Sequence, residues 1–476
     1  MNPTLFLCLL VSLPLVGAVM LTVSRQPARA RVIATGIAAL TLVAAIAAPH
    51  LAGGTPADTI LAAPWLNAAF HLGVDEPSAR ALPLVALLTL VTLIASPRQD
   101  SHRRVLTALL LTESATLGFF CAHDVLPRLL FFLSMAAPLA THVARGQHAP
   151  SIGRAVRVYL LLGTLPVLLT LAMLGWHGGT RTPFLSPEEL ASLLPHGWRP
   201  GLCALLLIGV CARLAVVPFH SWLPVVLTRG PLGFGVLWMN LAASLHLLTQ
   251  VVRPLLPSEW DAVAPVLGSL GAGAALYGAL LALVQTDLRR MLAFLLVSQS
   301  GLLLAGVSLG GPAGRSGAWL QCLSMGIAFT GLELLVRAIE ARTGTTDLDA
   351  RHGLIARAPR MATTFLLLGL GALGFPGTRG FLSEDLLLRG TLGAHPLLAL
   401  PLLPALALNA ITLLRAFQRA FLGPRPRGTP STEDLLPRER WTTLALLVLL
   451  CVAEPPPAPH PGSPMLQLRA DTAPPP

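Results

Sequence analysis

The chain has 476 residues, 54% of them apolar and 12% charged, with a mean hydropathy of +0.70; soluble domains carry roughly twice that share of charge, so one integral membrane domain is the economical reading. Its net charge is +11, but the basic residues are dispersed among short loops with no patch or interleaved aromatics, which argues against nucleic acid as a partner. The six cysteines (Cys8, Cys121, Cys203, Cys211, Cys322, Cys451) form no CxxC pair and no ligand-spaced cluster. Apolar helix packing explains them, and neither a metal nor a cofactor is expected in this chain.

Residues 1–23 have no basic stretch ahead of their apolar run, so they read as a retained first helix and not as a signal peptide. Runs of spanning length, roughly 17–25 residues, follow in order at about 4–23, 32–48, 81–96, 104–122, 125–143, 155–175, 201–223, 232–252, 263–285, 290–309, 316–341, 361–390, 396–421 and 440–453. The expected fold is therefore all-α, a polytopic membrane protein of about 14 transmembrane helices. With the N-terminus outside, the inner loops hold 20 arginines and the outer loops and tail 8. That bias is the one expected of loops kept on the cytoplasmic side, and it fits a bacterial inner membrane. Trp65, Trp198, Trp222, Trp260 and Trp441 fall near predicted span ends, where interfacial aromatics belong.

Two predicted spans are interrupted. The seventh contains Arg213, Pro218, His220 and Pro224; the twelfth contains Gly374-Phe375-Pro376-Gly377-Thr378-Arg379-Gly380. Proline removes a backbone donor, and unsatisfied carbonyls are tolerated at membrane depth only inside protein or beside a water-filled cavity. An arginine there costs roughly 2.5–3.5 kcal/mol on insertion scales, so it faces the bundle interior or an ion path. The two breaks lie five helices apart and thus cross in opposite directions, the arrangement of an inverted repeat. The implied regions are 1–103 (helices 1–3 and an outer loop), 104–252 and 253–422 (the two five-helix repeats), and 423–476 (a last short helix and a Pro-rich tail).

Four motifs follow one another: Pro218-Phe219-His220-Ser221-Trp222-Leu223-Pro224; Gln285-Thr286-Asp287-Leu288-Arg289-Arg290 leading to Ser298-Gln299-Ser300-Gly301; Arg342-Thr343-Gly344-Thr345-Thr346-Asp347-Leu348; and Gly374-Phe375-Pro376-Gly377 with Gly380-Phe381-Leu382-Ser383-Glu384-Asp385. From about Glu113 to Asp385 the chain resembles the antiporter-like proton-conducting subunits of respiratory complex I, a family shared with multi-subunit cation/proton antiporters and membrane-bound hydrogenases. The resemblance implies a non-catalytic membrane-arm subunit of a translocase, with other membrane subunits, the lipid bilayer and protons or other monovalent cations as partners. It also implies a buried line of ionisable groups. The tail after Glu454 is too rich in proline to be helical, so the lateral helix of one complex I branch is not expected here.

The chain departs from the family at the relay itself. It has no lysine. Arg213 stands where the resemblance implies the seventh-helix lysine, and a guanidinium stays charged where a buried ammonium titrates. Leu133 stands where the fifth-helix glutamate belongs. The eighth-helix His or Lys falls near Met239 to Ser244, with His246 the nearest ionisable group, and the eleventh-helix pair falls near Met325 and Phe329. The twelfth helix keeps its acid in Glu384.

The path candidates are thus Glu113, Arg213, His220, His246, Glu333, Arg337 and Glu384. Glu333 and Arg337 are four apart on one helix face and form either a structural pair or a substitute relay. Glu113 is either a path residue or a hydrogen bond between helices. His246 is either a core histidine or a proton carrier. His220 belongs to the packing and path motif, because no second ligand stands at metal spacing. Asp287, Arg289 and Arg290 read as a solvated helix cap. Three functions remain: proton translocation coupled to redox chemistry in other subunits; a redox-independent cation/proton antiporter or ion-coupled uptake subunit; and a scaffold that has lost its relay.

Overall fold

The computed structural model describes residues 3–23, 27–52, 60–63, 68–95, 102–138, 150–178, 185–229, 234–350, 353–423 and 433–452; Trp65 lies outside them. In chain order the α-helices longer than four residues are α1 (Pro3–Val23), α2 (Pro27–Ala52), α3 (Glu76–Ala95), α4 (Arg103–Cys121), α5 (Val125–Ser134), α6 (Pro150–Gly163), α7 (Leu165–Gly178), α8 (Pro187–Leu193), α9 (Arg199–Arg213), α10 (Trp222–Arg229), α11 (Phe234–Leu247), α12 (Pro257–Leu283), α13 (Leu288–Leu309), α14 (Gly311–Thr343), α15 (Pro359–Ala372), α16 (Arg379–Ala394), α17 (Leu402–Phe421) and α18 (Pro437–Cys451). Between α2 and α3 one antiparallel hairpin pairs β1 (Ile60–Ala63) with β2 (Ala68–His71), Ile60 facing His71. Nine helical spans among the described residues are long and apolar enough to cross a membrane.

Burial sorts these helices into a centre and a rim. The apolar windows of α14 and α13 are 100% and 94% buried, whereas that of α2 is 28% buried. Large apolar side chains such as Leu5, Val43, Trp176 and Leu397 point outward, an arrangement that water would not tolerate but lipid does. Without a hydrophobic drive between helices in lipid, close packing relies on small residues. At the α12–α13 contact a Cβ on Gly301 would lie 2.4 Å from the Ala275 nitrogen and 2.5 Å from the Gly271 carbonyl oxygen, so only glycine permits that approach.

Both predicted interruptions occur. Beyond Arg213 the chain unwinds through Ala215, which takes a left-handed φ of 54°, and one turn of 3-10 helix at 219–221 leads into α10. Beyond Ala372 the turn uses Gly374 and Gly377 at φ of 64° and 93° before α16 begins, a geometry glycine adopts without a Cβ clash. Two departures from the expected regularity appear as well. The predicted span 155–175 is interrupted at Thr164 between α6 and α7, and α11 ends in a π-helical segment at Leu248–Val252. Pro166 explains the first, since it has no N–H to return to the carbonyl four residues back.

Two of the expected interfacial tryptophans are interior instead. Trp222 and Trp260 are 1% and 4% exposed. Trp222 donates its indole N–H to the Ala212 carbonyl at 2.8 Å, one of the groups left at the broken end of α9. Satisfying that carbonyl inside the bundle outweighs an interfacial position. Trp441 is exposed.

Candidate functional site

Arg213, the last residue of α9, is fully buried where three helix ends meet. Its Nε donates to the Gly163 carbonyl at 3.0 Å, Nη1 donates to the Phe132 carbonyl, and Nη2 reaches Thr164 Oγ1 at 3.4 Å. The two carbonyls are free for local reasons. In a continued α-helix the Phe132 carbonyl would accept from Ala136, but the end of α5 tightens and the Ala136 N–H bonds Leu133 instead, at 3.1 Å. Gly163 closes α6, and a Cβ there would lie 3.0 Å from Arg213 Cγ. The guanidinium also stacks on the Phe132 ring, 4.0 Å from its centroid. The cation thus sits at helix C-termini, where partial negative charge accumulates, and Leu133 puts no carboxylate beside it. Tyr159, 5.7 Å from the guanidinium, donates to Asn240 Oδ1 at 2.8 Å. The eighth predicted span therefore offers an amide where a His or Lys was expected.

Glu384 lies on α16 against the second break, its Oε2 2.4 Å from where a Cβ on Gly374 would stand. Gln321 Nε2 donates to Glu384 Oε1 at 3.4 Å and to Gln299 Oε1 at 2.9 Å, and Ser383 Oγ donates to Gln321 Oε1. Nearby, Asn409 Nδ2 donates to Ser298 Oγ at 2.9 Å, which donates to the Ala275 carbonyl at 2.8 Å. The Ser298-Gln299 motif thus supplies a polar layer linking α12, α13, α14, α16 and α17.

The other candidates occupy separate surroundings. Glu333 and Arg337 pair with each other on α14, both 7% exposed. Glu113 is fully buried on α4, and neither carboxyl oxygen has a hydrogen-bond partner among the described residues. His220 packs edge-on against Tyr277, ring centroids 5.3 Å apart, and its Nδ1 has no hydrogen-bond partner among the described residues. His246 is fully buried among Phe119, Phe120 and Trp319. Neither of its ring nitrogens makes a hydrogen bond among the described residues, and Nε2 stands 3.7 Å from Asp75 Oδ2. Leaving a buried polar group unpaired costs about 1–3 kcal/mol, so this position carries an energetic cost.

Asp75 was not legible as a site residue; it precedes α3 and reaches His246 only through the fold. Burial pushes its carboxyl up, but His246, the bonds from Ser78 and the Arg128 charge together hold it below the usual range. Beside it, burial raises the Asp124 carboxyl although the His71 backbone N–H and ring both bond it, at 2.8 and 2.9 Å. Tyr159, Asn240, Gln321 and Asn409 were missed as well. The available signal was their type: each is a polar side chain inside a predicted apolar run.

At the opposite end of the bundle, Asp287 caps α13, accepting from the Arg290 N–H at 2.8 Å and from the Thr346 hydroxyl. The Leu288 N–H bonds Thr346 at 2.9 Å and the Leu348 N–H bonds Thr286 at 2.7 Å. Two of the four motifs thereby clasp each other, and Arg289 pairs with Glu340. The cap expected here exists, with a tertiary partner added. Among the described residues no group of three His, Cys, Asp or Glu side chains is placed to hold a metal.

A bundle of apolar helices, two of its crossings broken beside buried ionisable groups, defines a polytopic membrane subunit of the antiporter-like class. The chain belongs to the NADH:quinone oxidoreductase/Mrp antiporter transmembrane family, whose model matches residues 129–407. It is 28% identical over 359 residues to NADH-quinone oxidoreductase subunit M of Rickettsia bellii, covering 74% of this chain and 73% of that protein. To the F(420)H(2) dehydrogenase subunit M of Methanosarcina mazei it is 27% identical over 411 residues, covering 83% and 82%. Its fold is that of a chain in respiratory complex I from Thermus thermophilus, with a TM-score of 0.84, 24% identity and 94% of each chain covered.

Proposed function

We propose that this chain is a membrane-arm subunit of a complex I-like NADH:quinone oxidoreductase, or of a related complex, contributing proton translocation driven by redox chemistry in other subunits. The observation that carries the reading is its similarity, over about three quarters of its length, to proteins named NADH-quinone oxidoreductase subunit M. Other membrane subunits are its partners, protons its cargo, and a bacterial inner membrane its location, with the N-terminus outside. In this reading the described helices complete 14 spans, 104–252 and 253–422 are inverted repeats, and 1–103 and 423–476 flank them. The breaks at Pro218, Pro224 and Pro376 support that division.

The path draws on Glu113, Arg213, His220, His246, Glu333, Arg337 and Glu384. Arg213 acts as a fixed positive charge and not as a carrier, because its donors are committed to Gly163, Phe132 and Thr164. Proton movement then falls to the other candidates, among which Glu384 is the acid beside the second break.

The test is extraction in mild detergent through a C-terminal tag, with identification of co-purifying subunits by mass spectrometry. Quinone-oxidoreductase or hydrogenase subunits are expected. Small antiporter subunits, or no partner, would move the assignment to a redox-independent antiporter. In the redox-coupled complex, Glu384→Gln and Glu333→Gln are expected to lower the protons moved per electron while substrate oxidation persists. Unchanged coupling in both would leave the scaffold reading.

A further inference from the structure

We infer that Asp75 and His246 form a proton-transfer pair served by an aqueous vestibule at the end of the bundle where α3, α8, α12 and α14 begin. This inference rests on the redox-coupled reading above. Four observations converge on the pair. First, a cavity of about 620 Å³ opens there, lined by Glu76, Arg80, Glu188, Arg253, Asp261 and Arg315 among others. Six charged side chains around one concavity keep it wet. Second, the same cavity is lined by Leu245, Thr249 and Trp319. Leu245 adjoins His246 in the chain, Thr249 opens the following turn, and the Trp319 ring lies 5.8 Å from the imidazole.

Third, the helix carrying His246 runs straight into the π segment Leu248–Val252, whose widened ladder is a frequent mark of functional sites. Fourth, the pair is held close but unbonded. The separation from Nε2 to Asp75 Oδ2 is 3.7 Å, beyond a hydrogen bond and within reach of a small ring movement. Asp75 is anchored through its other oxygen, which accepts the Ser78 N–H at 2.7 Å. Arg128, whose Nε donates to the Ala122 carbonyl at 2.8 Å, and His123 are the charged and titratable neighbours that act on the pair, with the His71–Asp124 couple behind them.

The step moves one proton and no electron. The Nε2–H bond of a protonated His246 breaks, an O–H bond forms at Asp75 Oδ2, and the ion pair becomes neutral. Asp75, half-buried and next in the chain to the vestibule-lining Glu76, then passes the proton toward vestibule water, while His246, enclosed by Phe119, Phe120 and Trp319, is reloaded from the interior.

The experiment uses native membrane vesicles carrying the assembled complex, with Asp75→Asn, His246→Gln and Asp75→Glu. Substrate oxidation and proton movement are measured together. Asp75→Asn and His246→Gln are expected to lose this subunit's share of the moved protons at assembled levels like wild type, with Asp75→Glu restoring it. A separate Thr249→Cys variant is expected to react with a membrane-impermeant, water-soluble thiol reagent from one face only, which reads whether the vestibule that serves the pair holds water. Full proton movement in both Asp75→Asn and His246→Gln, or an unreactive Thr249→Cys, overturns the inference. Absence of substrate-driven proton movement in the wild type overturns the redox-coupled reading itself, and this inference with it.

Discussion

Replacing Arg213 by lysine tests whether this position needs a charge or a planar fork of donors. The guanidinium serves three acceptors from three nitrogens: the Gly163 carbonyl, the Phe132 carbonyl and Thr164 Oγ1. An ammonium has one nitrogen on a differently shaped stem, so at least one buried carbonyl loses its donor, at about 1–3 kcal/mol. Stacking on the Phe132 ring is weakened too, worth about 0.5–2 kcal/mol for a desolvated cation. Arg213→Lys is therefore expected to cost roughly 2–4 kcal/mol. Equilibrium unfolding of the purified protein in mixed detergent and SDS micelles reads that difference directly. A lysine variant within about 0.5 kcal/mol of wild type would refute the argument, because a point charge would then satisfy the three helix ends as well as the fork does.

Two further substitutions probe the frame around the site. Gly301→Ala drives a methyl into the backbone of α12, 2.4 Å from the Ala275 nitrogen, so the two helices must separate; a loss of about 3 kcal/mol, at the upper end for overpacking, is expected in the same unfolding assay, and a neutral result would mean the seam yields. Asp287→Ala removes both the cap to the Arg290 N–H and the acceptor for Thr346; about 1–2 kcal/mol should be lost, and faster amide exchange in the first turn of α13 and at residues 346–348 would locate it. Exchange unchanged at 346–348 would show that the Leu288 and Leu348 backbone bonds hold the two motifs without Asp287.

The membrane class, most of the apolar spans, the two breaks and the family were legible in the amino-acid sequence because each is a local property. Lipid offers no partner to backbone polar groups, so every crossing must satisfy its own ladder, and an apolar run, a proline or a Gly-Phe-Pro-Gly turn announces its structure wherever it sits. The same locality makes Arg213, a charge inside an apolar run, stand out in the sequence.

What receives a buried charge is not local. One partner of Arg213 is a carbonyl at Phe132 that is free because the end of α5 tightens, and no residue type records that. His246 meets Asp75, and Glu384 meets Gln321, across helices far apart in the chain. Trp222 turned inward for the same reason, to occupy a carbonyl exposed by the break beside it. The one-dimensional pattern determined where the chain crosses and where it breaks; only the packed bundle decided which groups each break leaves open and which side chains reach them.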